Sequence, residues 1–505
     1  MKYQPTIGLE IHVELKTKTK MFCASLNDPN EKRPNVNICP VCMGHPGTLP
    51  VINKEAVRKV LICGKALNGK LADYSQFDRK NYFYPDLPKG YQISQYKFPL
   101  VEGGKLNGVK ITRIHLEEDT GRLIHAKDET SSLVDFNRAG VPLMELVTEP
   151  CINSGEQARK FAEELQLVLR YLEISDADME KGQMRAEVNI SIAERNNGLA
   201  KQNLSRFTLP RSGAGSDASQ DFASPRLNAV VAKLGTKVEI KNLNSFRSVE
   251  RAVEYEIKRQ TAVLEAGEKV IHETRGWDEN NQKTFSQREK EMAHDYRYFP
   301  EPDLPPLKIS ELDFDLSLPE LPEEKRKRFK EKYGLKDEAV EIFIQDISAG
   351  KFFESVISHL ADKPKETVSL ASNYSTSDLA GLLKESGKTF SDLKINPEMF
   401  AKLVAMAGKG EISSRGAKNV LKIMFEEGGD PEKIVEEKGL KQDSDDGFIK
   451  GIIEEVVKNN TSAVEEYKNG KENALQFLVG QGMKLSKGKA NPAVLQKLLK
   501  EKFGK

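Results

Sequence analysis

The chain has 505 residues, of which 38% are hydrophobic and 30% charged, and its formal net charge is +1. This composition excludes an intrinsically disordered chain and a membrane-embedded one. A length above about 300 residues predicts two or three domains rather than a single core. Because the net charge is close to zero, RNA could be attracted only by local basic patches and not by the field of the whole protein.

The N-terminus and the cysteine usage predict a cytoplasmic protein without a membrane partner. A strand-like segment begins within a few residues of Met1, with no signal or transit leader before it. No apolar run reaches the length of about 18 residues that a transmembrane helix needs. The five cysteines are an odd number in a lysine-rich chain, which argues against a disulfide framework.

The first predicted element is a strand over residues 7–15 (IGLEIHVEL), in which every second side chain is apolar. Strict alternation is typical of a half-buried strand, so Glu10 and His12 project from the same face. A solvated outer face is enough to explain such a pattern in one strand. Because the pattern recurs in later strands, a functional face also has to be considered.

Three cysteines, Cys23, Cys39 and Cys42, follow this strand in a loop-rich stretch, and the last two form a C-P-V-C knuckle. That spacing suits thiolate ligation of zinc, which takes four ligands in a closed structural site. Only three thiols are present, because Ser25 stands where a C-x-C pair would have its second cysteine. His45 is the nearest other donor. Bound zinc and a reduced thiol cluster therefore both remain open.

Two segments rich in aromatic residues and proline, 77–91 and 295–306, resemble each other and share a Pro-Asp-Leu-Pro turn. Aromatic and arginine side chains can stack on unpaired bases, such as those at the acceptor end of a tRNA. Rigid turns whose aromatic rings pack into the core would have the same sequence pattern. Within the first segment, Arg79 and Lys80 are better candidates for ligand contact than the tyrosines.

Four further strand candidates carry carboxylates among apolar neighbours, although glutamate is depleted in strands. These carboxylates are Glu117, Glu118, Glu145, Glu149, Glu187 and Glu239. Clustered carboxylates repel one another unless a cation lies among them, and an oxygen-rich set with few imidazoles favours Mg²⁺. Any twisted sheet with one wet face gives a similar pattern. Alternation in the strand 111–119 places Glu117 on the face of His115, and Glu118 on the other face unless the strand kinks.

Basic side chains accompany these strands and are candidates for binding phosphate groups or a carboxylate. They are Arg113, Arg138, Arg185, Lys241 and Arg247. The sequence contains neither a P-loop motif nor a kinase-type glycine-rich loop, and no recognisable nucleophile elbow. We therefore expect metal and phosphate chemistry on one face of a sheet, without a nucleophilic serine or cysteine.

The composition divides the chain into a large α+β domain over residues 1–300, a helical linker domain over 301–408 and a small all-helical tail over 409–505. The stretch of about 196–236 is an expected exposed insertion, because it is too poor in large apolar side chains to offset its ordering entropy. The C-terminal stretch from Lys484 carries seven lysines against one glutamate. This basic helix is a candidate contact for an RNA backbone, although lysine-rich terminal helices also serve solubility alone.

Taken in this order, these segments closely resemble the GatB family of subunits of aspartyl/glutamyl-tRNA amidotransferases. The resemblance covers nearly the whole chain. It rests on the segments 7–15, 77–96, 113–119, 137–145, 239–247 and 295–305. At the C-terminal end, 477–481 (FLVGQ) and 487–492 (KGKANP) are similar to the YqeY-like tail of that family.

The resemblance implies an α+β fold in which a large mixed-sheet cradle domain precedes a helical domain and a small YqeY-like tail. It implies an enzyme that binds misacylated tRNA, Glu-tRNA(Gln) or Asp-tRNA(Asn), together with ATP and Mg²⁺. The side-chain carboxylate is phosphorylated and then amidated with ammonia. Because this chain has no group to hydrolyse glutamine, the ammonia is expected from an amidase-type A subunit, and a small C subunit would complete a heterotrimer.

The resemblance also implies roles for individual residues. Glu10, His12, Glu118 and Glu145 are expected to be the catalytic and Mg²⁺-binding residues, with Glu149, Glu187 and Glu239 as second choices. Arg79, Lys80, Arg113, Arg138, Lys241 and Arg247 are expected to bind substrate or phosphate. Some relatives carry four cysteines where this chain has Cys23, Ser25, Cys39 and Cys42, so that zinc stays open.

A non-catalytic tRNA-binding scaffold of the same fold is the main alternative. It predicts that carboxylate positions are lost, whereas Glu10, Glu118 and Glu145 are all present. A zinc-ribbon nucleic-acid module is a third class, and the missing fourth ligand and the near-neutral charge disfavour it. The sequence does not distinguish Glu-tRNA(Gln) from Asp-tRNA(Asn) as the substrate.

Overall fold

The computed structural model describes residues 2–28, 30–125, 131–195, 234–289, 296–360, 364–442, 446–486 and 488–503. The chain forms two compact units, which divide between Leu321 and Pro322. Most of the expected insertion at about 196–236 lies outside the described residues. Within the described ranges, no helix has the length and apolar character needed to span a membrane.

The first unit combines short and long strands with three helices in the part that the structure describes. Its strands are β1 (Tyr3–Glu14), β2 (Lys70–Leu71), β3 (Tyr74–Ser75), β4 (Asp78–Asn81), β5 (Tyr91–Ser94), β6 (Val101–Glu102), β7 (Lys105–Leu106), β8 (Val109–Glu118), β9 (Arg122–His125), β10 (Ser132–Asp135), β11 (Pro142–Thr148), β12 (Met184–Glu194), β13 (Val238–Leu243), β14 (Glu273–Asp278), β15 (Lys283–Glu289), β16 (Phe299–Pro300) and β17 (Leu307–Lys308). Its helices are α1 (Lys54–Ala66), α2 (Gly155–Tyr171) and α3 (Phe246–Glu265).

A large mixed sheet organises this unit, with β1 at its centre. The strand order is β15-β14-β13-β12-β1-β11-β8-β6-β2, and β7 pairs with β8. Most neighbours are antiparallel, whereas β13 and β14 are parallel and are joined through α3. The expected α+β fold with a mixed sheet is therefore confirmed.

The alternation in β1 explains how the sheet separates its two faces. Ile7, Leu9, Ile11 and Val13 are fully buried in the core, together with apolar side chains of α1, α2 and α3. Burying one apolar face of a strand directs the intervening side chains to the opposite face. The helices therefore cover one face of the sheet, and Glu10 and His12 lie on the other.

A second, three-stranded sheet, in the order β16-β4-β5, is attached to the end of β8. Gln92 Nε2 donates to the backbone oxygen of Glu118 at 2.7 Å, and Ser94 Oγ donates to Glu117 Oε2 at 3.0 Å. These bonds bring the first aromatic segment, which forms β4 and β5, next to the polar face of the large sheet. The second aromatic segment contributes β16 to the same small sheet.

The second unit is helical in the part that the structure describes. Its helices are α4 (Pro322–Tyr333), α5 (Asp337–Gln345), α6 (Ile347–His359), α7 (Lys365–Asn373), α8 (Ala380–Glu385), α9 (Pro397–Gly408), α10 (Ser414–Glu426), α11 (Pro431–Glu437), α12 (Asp446–Asn459), α13 (Thr461–Lys468), α14 (Glu472–Leu485) and α15 (Pro492–Phe503). Phe329, Phe343 and Phe353 form an aromatic core near its start. Leu478, Leu495 and Leu499 belong to a separate apolar cluster at its end, as expected for a helical tail.

Candidate active site on the polar face of the sheet

The centre of the polar face is a row of side chains from adjacent strands. His12 of β1 lies opposite Glu145 of β11, and Glu145 lies opposite His115 of β8. Directly opposite residues of antiparallel strands point to the same face. His12 Nε2 and His115 Nε2 are each 3.4 Å from Glu145 Oε2, and His12 Nε2 is 3.8 Å from Glu117 Oε1. His12, Glu117 and Glu145 each place a potential metal-ligating atom within 4.8 Å of the others.

A second carboxylate group lies beside the first, toward β13. Glu10, Glu187 and Glu239 also place oxygens within 4.8 Å of one another. Lys241 Nζ is 3.0 Å from Glu187 Oε2 and 3.6 Å from Glu239 Oε1. Glu10 and His12 are two residues apart on β1, so the two groups are separated by about 7 Å along the strand.

Electrostatics in the first group favour an ion pair between His12 and Glu145. Burial lowers the pKa of His12, but the hydrogen bond and the negative charge of Glu145 outweigh it and raise this pKa to about 9. Burial likewise opposes ionisation of Glu145, but His115 and His12 hold the pKa of Glu145 well below its usual range. A histidine must be neutral to ligate a metal, so metal binding here would release a proton.

In the second group, the negative charges of neighbouring carboxylates repel one another. Burial raises the pKa of Glu10, and the charges of Glu145 and Glu187 raise it further. Burial lowers the pKa of Lys241, but Glu187 and Glu239 raise it overall. Repulsion between neighbouring carboxylates is the condition that a bound cation relieves.

Asn189 adds an unsatisfied acceptor to the second group. Its Nδ2 donates to Glu10 Oε1 at 2.7 Å. Its Oδ1 is buried and has no hydrogen-bond partner within the described ranges. A buried carbonyl oxygen without a partner costs free energy that a cation ligand would recover.

Glu118 lies apart from both carboxylate groups. Its Oε2 accepts from Lys89 Nζ at 2.6 Å, and its Oε1 accepts from the backbone N–H of Ile93 at 3.0 Å. Together with Lys89 it lines a cavity of about 110 Å³ that also contains Cys23 and Cys42. The regular alternation of β8 thus places Glu117 with His12 and Glu145, and it does not bring Glu118 there.

Lys80 is the predicted cation that approaches the first carboxylate group. Burial lowers its pKa, but the negative charges of Glu117 and Glu145 outweigh burial and raise it. Its Nζ lies 5.2 Å from the ring centre of Tyr296. Tyr82 of the first aromatic segment meets Tyr296 of the second edge to face at 6.0 Å, and Tyr96, just beyond the first segment, stacks on Tyr298 of the second at 4.4 Å. The two segments therefore meet as one aromatic wall at the edge of the polar face.

Besides Lys241, three of the other predicted cations have partners of their own, and one of them, Arg185, lies opposite His12 and pairs with Asp119 at 2.7 Å. Arg79 forms two hydrogen bonds of 2.7 Å with Glu301 and lies over the ring of Tyr91. Arg138 donates to the backbone oxygens of Thr120 and Gly121. The hydrogen bonds of Arg79 and Arg138 therefore stabilise neighbouring parts of the protein in this structure.

Arg113 and Arg247 are placed differently. Arg113 and Glu10 both lie opposite Val147 of β11, on the strands to either side of it, so they point to the same face. The Nε of Arg113 is buried and has no hydrogen-bond partner within the described residues. Arg247 is exposed in the first turn of α3. Arg113 is therefore the predicted arginine that remains available at the polar face.

The thiol cluster of Cys23, Cys39 and Cys42 is assembled as the sequence spacing predicts. Their sulfurs lie within 4.8 Å of one another, and Cys42 Sγ is 3.8 Å from Cys39 Sγ. The side chain of Lys20, with 0% exposure, places its Nζ 3.8 Å from Cys42 Sγ. Ser25 Oγ is 3.9 Å from the same sulfur. The hydrogen bond with Cys23 lowers the pKa of Cys42 to about 4 despite burial, and Lys20 contributes to this shift.

Sequence reasoning did not select Glu117, His115, Lys89 or Lys20 as site residues. For Glu117 and His115 the signal was present, because alternation placed both on the face of Arg113. For Lys89 and Lys20 there was no such signal. Lysine is almost never fully buried unless paired, and only the folded chain shows the partners of these two residues.

The fold and this polar face define a member of the GatB/GatE class. The family model described as the GatB/GatE catalytic domain matches residues 5–206 and 225–314, and the model described as the GatB domain matches residues 351–503. The chain belongs to the family of B subunits of aspartyl/glutamyl-tRNA(Asn/Gln) amidotransferases.

Curated relatives support this assignment along the full length. The chain is 44% identical to the B subunit of the aspartyl/glutamyl-tRNA(Asn/Gln) amidotransferase from Persephonella marina, with 99% of each chain covered. It is 43% identical to the protein of the same name from Caldicellulosiruptor bescii and 44% identical to that from Thermoanaerobacter pseudethanolicus, with 100% of each chain covered in both cases.

Proposed function

We propose that the chain activates the side-chain carboxylate of Glu-tRNA(Gln), of Asp-tRNA(Asn), or of both, by phosphoryl transfer from ATP. Ammonia then displaces the phosphate and leaves the amide. The observation that supports this most is the polar face, where two carboxylate groups and two lysines converge in a chain whose relatives are named amidotransferase subunits. The activation is needed because a carboxylate is a poor electrophile until one of its oxygens becomes part of a leaving group.

The donor set of the polar face fits Mg²⁺. His12, Glu117 and Glu145 would hold one ion, and Glu10, Glu187 and Glu239 together with the unsatisfied Oδ1 of Asn189 offer a second, all-oxygen set. Oxygen ligands with at most one imidazole are what a hard cation prefers. When bound, Mg²⁺ would neutralise negative charge on the phosphate oxygens.

The lysines and Arg113 supply the fixed positive charge of the site. Lys80 stays protonated at neutral pH because Glu117 and Glu145 raise its pKa, so it can hold a phosphoryl oxygen or the substrate carboxylate. Lys241 can do the same at the second group, 3.0 Å from Glu187. Positioning and charge stabilisation of this kind account for most of the catalysis of phosphoryl transfer.

The proposed reaction needs ammonia, and we expect partner subunits to supply it. We infer that an amidase-type A subunit delivers ammonia to the polar face, that a small C subunit is the third member of a heterotrimer, and that the assembly acts in the cytoplasm. Residues 1–300 would form the catalytic cradle, 301–408 the linker domain and 409–505 the tRNA-binding tail. The exposed Lys497, Lys500 and Lys502 on α15 support the last assignment.

The test is a reconstituted assay in which the chain is co-expressed with candidate A and C subunits. Glu145→Gln should reduce ATP- and glutamine-dependent amidation of Glu-tRNA(Gln) by at least about a hundredfold, because it removes the central carboxylate of the first group. Glu149→Gln is the matched control. Glu149 sits just beyond the same strand, but its carboxylate is bonded to the exposed Thr112 Oγ1 at 2.8 Å.

The non-catalytic scaffold predicts another pattern in the same assay. Glu145→Gln and Glu149→Gln would then both support wild-type amidation in the assembled complex. That result would reject the active-site assignment while leaving tRNA binding by this chain possible.

A further inference from the structure

The thiol cluster of Cys23, Cys39 and Cys42 has chemistry that the proposed function does not use. A closed zinc site takes four ligands, commonly cysteine and histidine. Ser25 offers only a neutral hydroxyl, 3.9 Å from Cys42 Sγ. His45 borders the same cavity but does not join the group of ligating atoms that lie within 4.8 Å of one another. The residues present therefore do not fit a closed zinc site.

Lys20 places a buried amino group next to the cluster, where burial lowers its pKa and the three thiols oppose that shift. Its side chain is completely buried, and its Nζ is 3.2 Å from the backbone oxygen of Phe136 and 3.8 Å from Cys42 Sγ. A buried ammonium costs several kcal/mol unless a negative charge accompanies it. No carboxylate within the described ranges forms an ion pair with Lys20, so the sulfur of Cys42 is the group that can carry the compensating charge.

Cys42 Sγ is surrounded mainly by hydrogen-bond donors, although it also lies 3.4 Å from the backbone oxygen of Cys39, to which the neutral thiol donates. The backbone N–H of Cys39 donates to Cys42 Sγ at 3.1 Å, and the ammonium of Lys20 and the hydroxyl of Ser25 lie within 4 Å of it. Donors and a cation around a sulfur favour its thiolate form, which is the nucleophilic form of cysteine. Cys42 also lines the cavity of about 110 Å³, which has room for a small molecule such as hydrogen peroxide.

We propose that Cys42 is a modification site: a thiolate charge-paired with Lys20 that hydroperoxides oxidise to a disulfide with Cys39. In the first step the Cys42 sulfur attacks one peroxide oxygen, so that an S–O bond forms, the O–O bond breaks and hydroxide leaves. In the second step the Cys39 sulfur, 3.8 Å away, attacks the sulfenic sulfur and forms the S–S bond. Its proton and the departing hydroxyl give water, and the hydroxide of the first step takes up the proton that Cys42 lost on ionisation, so two thiols and one peroxide yield one disulfide and two waters. This inference does not depend on the proposed function.

The first experiment uses the reduced full-length chain. Its zinc content is measured by plasma mass spectrometry, and its tryptic peptides are compared before and after treatment with hydrogen peroxide. We expect far less than one zinc per chain and, after oxidation, loss of two hydrogens from the single tryptic peptide that contains Cys39 and Cys42, reversed by dithiothreitol. In the double variant Cys23→Ser/Cys39→Ser, which removes both neighbouring thiols, the sulfenic acid should persist, so dimedone should label Cys42. Cys63, fully buried in α1, is the internal negative control.

The second experiment tests the role of the ammonium. Lys20→Met removes the charge and keeps an unbranched apolar chain in its place. We expect iodoacetamide to react with Cys42 about tenfold more slowly in this variant at neutral pH, because less thiolate is present, while the reaction of the half-exposed Cys151 is unchanged.

Three results would overturn the proposal. They are one equivalent of tightly bound zinc with an unreactive Cys42, a peroxide-induced cross-link between the separate peptides of Cys23 and Cys42, and an unchanged Cys42 rate in folded Lys20→Met. If Lys20→Met does not fold, the zinc content, the peptide mass and the dimedone labelling of the double variant Cys23→Ser/Cys39→Ser still decide the question.

Discussion

At the scale of single residues, the polar face is a set of charges that oppose one another. His12 is held as a cation by Glu145, and Glu10 is crowded by Glu145 and Glu187. Glu145 is paired with His12 and His115, and Glu187 with Lys241, in each case from a neighbouring strand. Removing one partner therefore leaves the other buried and uncompensated, which costs more than the pair itself contributes.

The raised pKa of His12 has a definite consequence for stability in the metal-free chain. A group whose pKa is higher in the folded state stabilises it fully below the unfolded value of 6.5, and the contribution is lost as pH rises through about 9. Wild type should therefore lose up to about 3 kcal/mol relative to Glu145→Gln between these pH values. Urea unfolding in EDTA from pH 6 to 9.5 measures this difference.

Glu149→Gln is again the control, because its carboxylate is half-buried, is bonded to Thr112 and is not among the groups that shift the pKa of His12. Its stability relative to wild type should not depend on pH in this range. A constant difference between wild type and Glu145→Gln from pH 6 to 9.5 would contradict the ion pair.

At the scale of elements, the close approach of α2 and α3 positions the strands that follow them. Gly155 begins α2, and a Cβ at this position would lie 2.5 Å from the backbone oxygen of Glu250 in α3. A backbone atom cannot move aside as the end of a flexible side chain can. The glycine is therefore required by packing between the two helices and not by the conformation of its own helix.

Gly155→Ala should destabilise the first unit by about 1–3 kcal/mol, because the two helices must separate to admit the methyl group. The control is Gly451→Ala in α12, where a Cβ would meet no atom within 4 Å. That change should be neutral or stabilise its helix by up to about 1 kcal/mol, since alanine has the higher helix propensity. Thermal unfolding of both variants distinguishes them, and equal effects would argue against the packing explanation.

At the scale of the whole molecule, the net charge is close to zero, but acidic and basic side chains are concentrated in separate regions. The polar face gathers carboxylates, and the end of the second unit gathers lysines on α15. Leu495 and Leu499 anchor α15 in the tail core, so that the lysines between and after them face solvent. Electrostatic contact with RNA is thus expected at one part of the chain.

Replacing Lys497, Lys500 and Lys502 together by glutamine should weaken tRNA binding and reduce its salt dependence. For each phosphate that is no longer neutralised, the slope of log affinity against log salt should fall by about 0.7–0.9. Filter binding at several salt concentrations measures the slope. Lys327→Gln, an exposed lysine on α4, is the control and should leave the slope unchanged. An unaltered slope in the triple variant would remove the tail from the RNA interface.

Local patterns of this protein could be predicted from the order of its residues. The two-residue period of β1 is a short-range property, and burying Ile7, Leu9, Ile11 and Val13 is enough to direct Glu10 and His12 to the other face. The long motifs were likewise sufficient to predict the α+β fold and the family. The strand period and the motifs are properties of short segments, so they do not depend on contacts between segments that are far apart in the chain.

Which of the polar groups act together became visible only in the folded chain. The register of β1, β11 and β8 sets His12, Glu145 and Glu117 in one group and leaves Glu118 to pair with Lys89. The same folding buries Lys20 against Cys42. Strand register and the burial of a charge depend on contacts between segments far apart in the chain, and no periodicity within one segment contains that information.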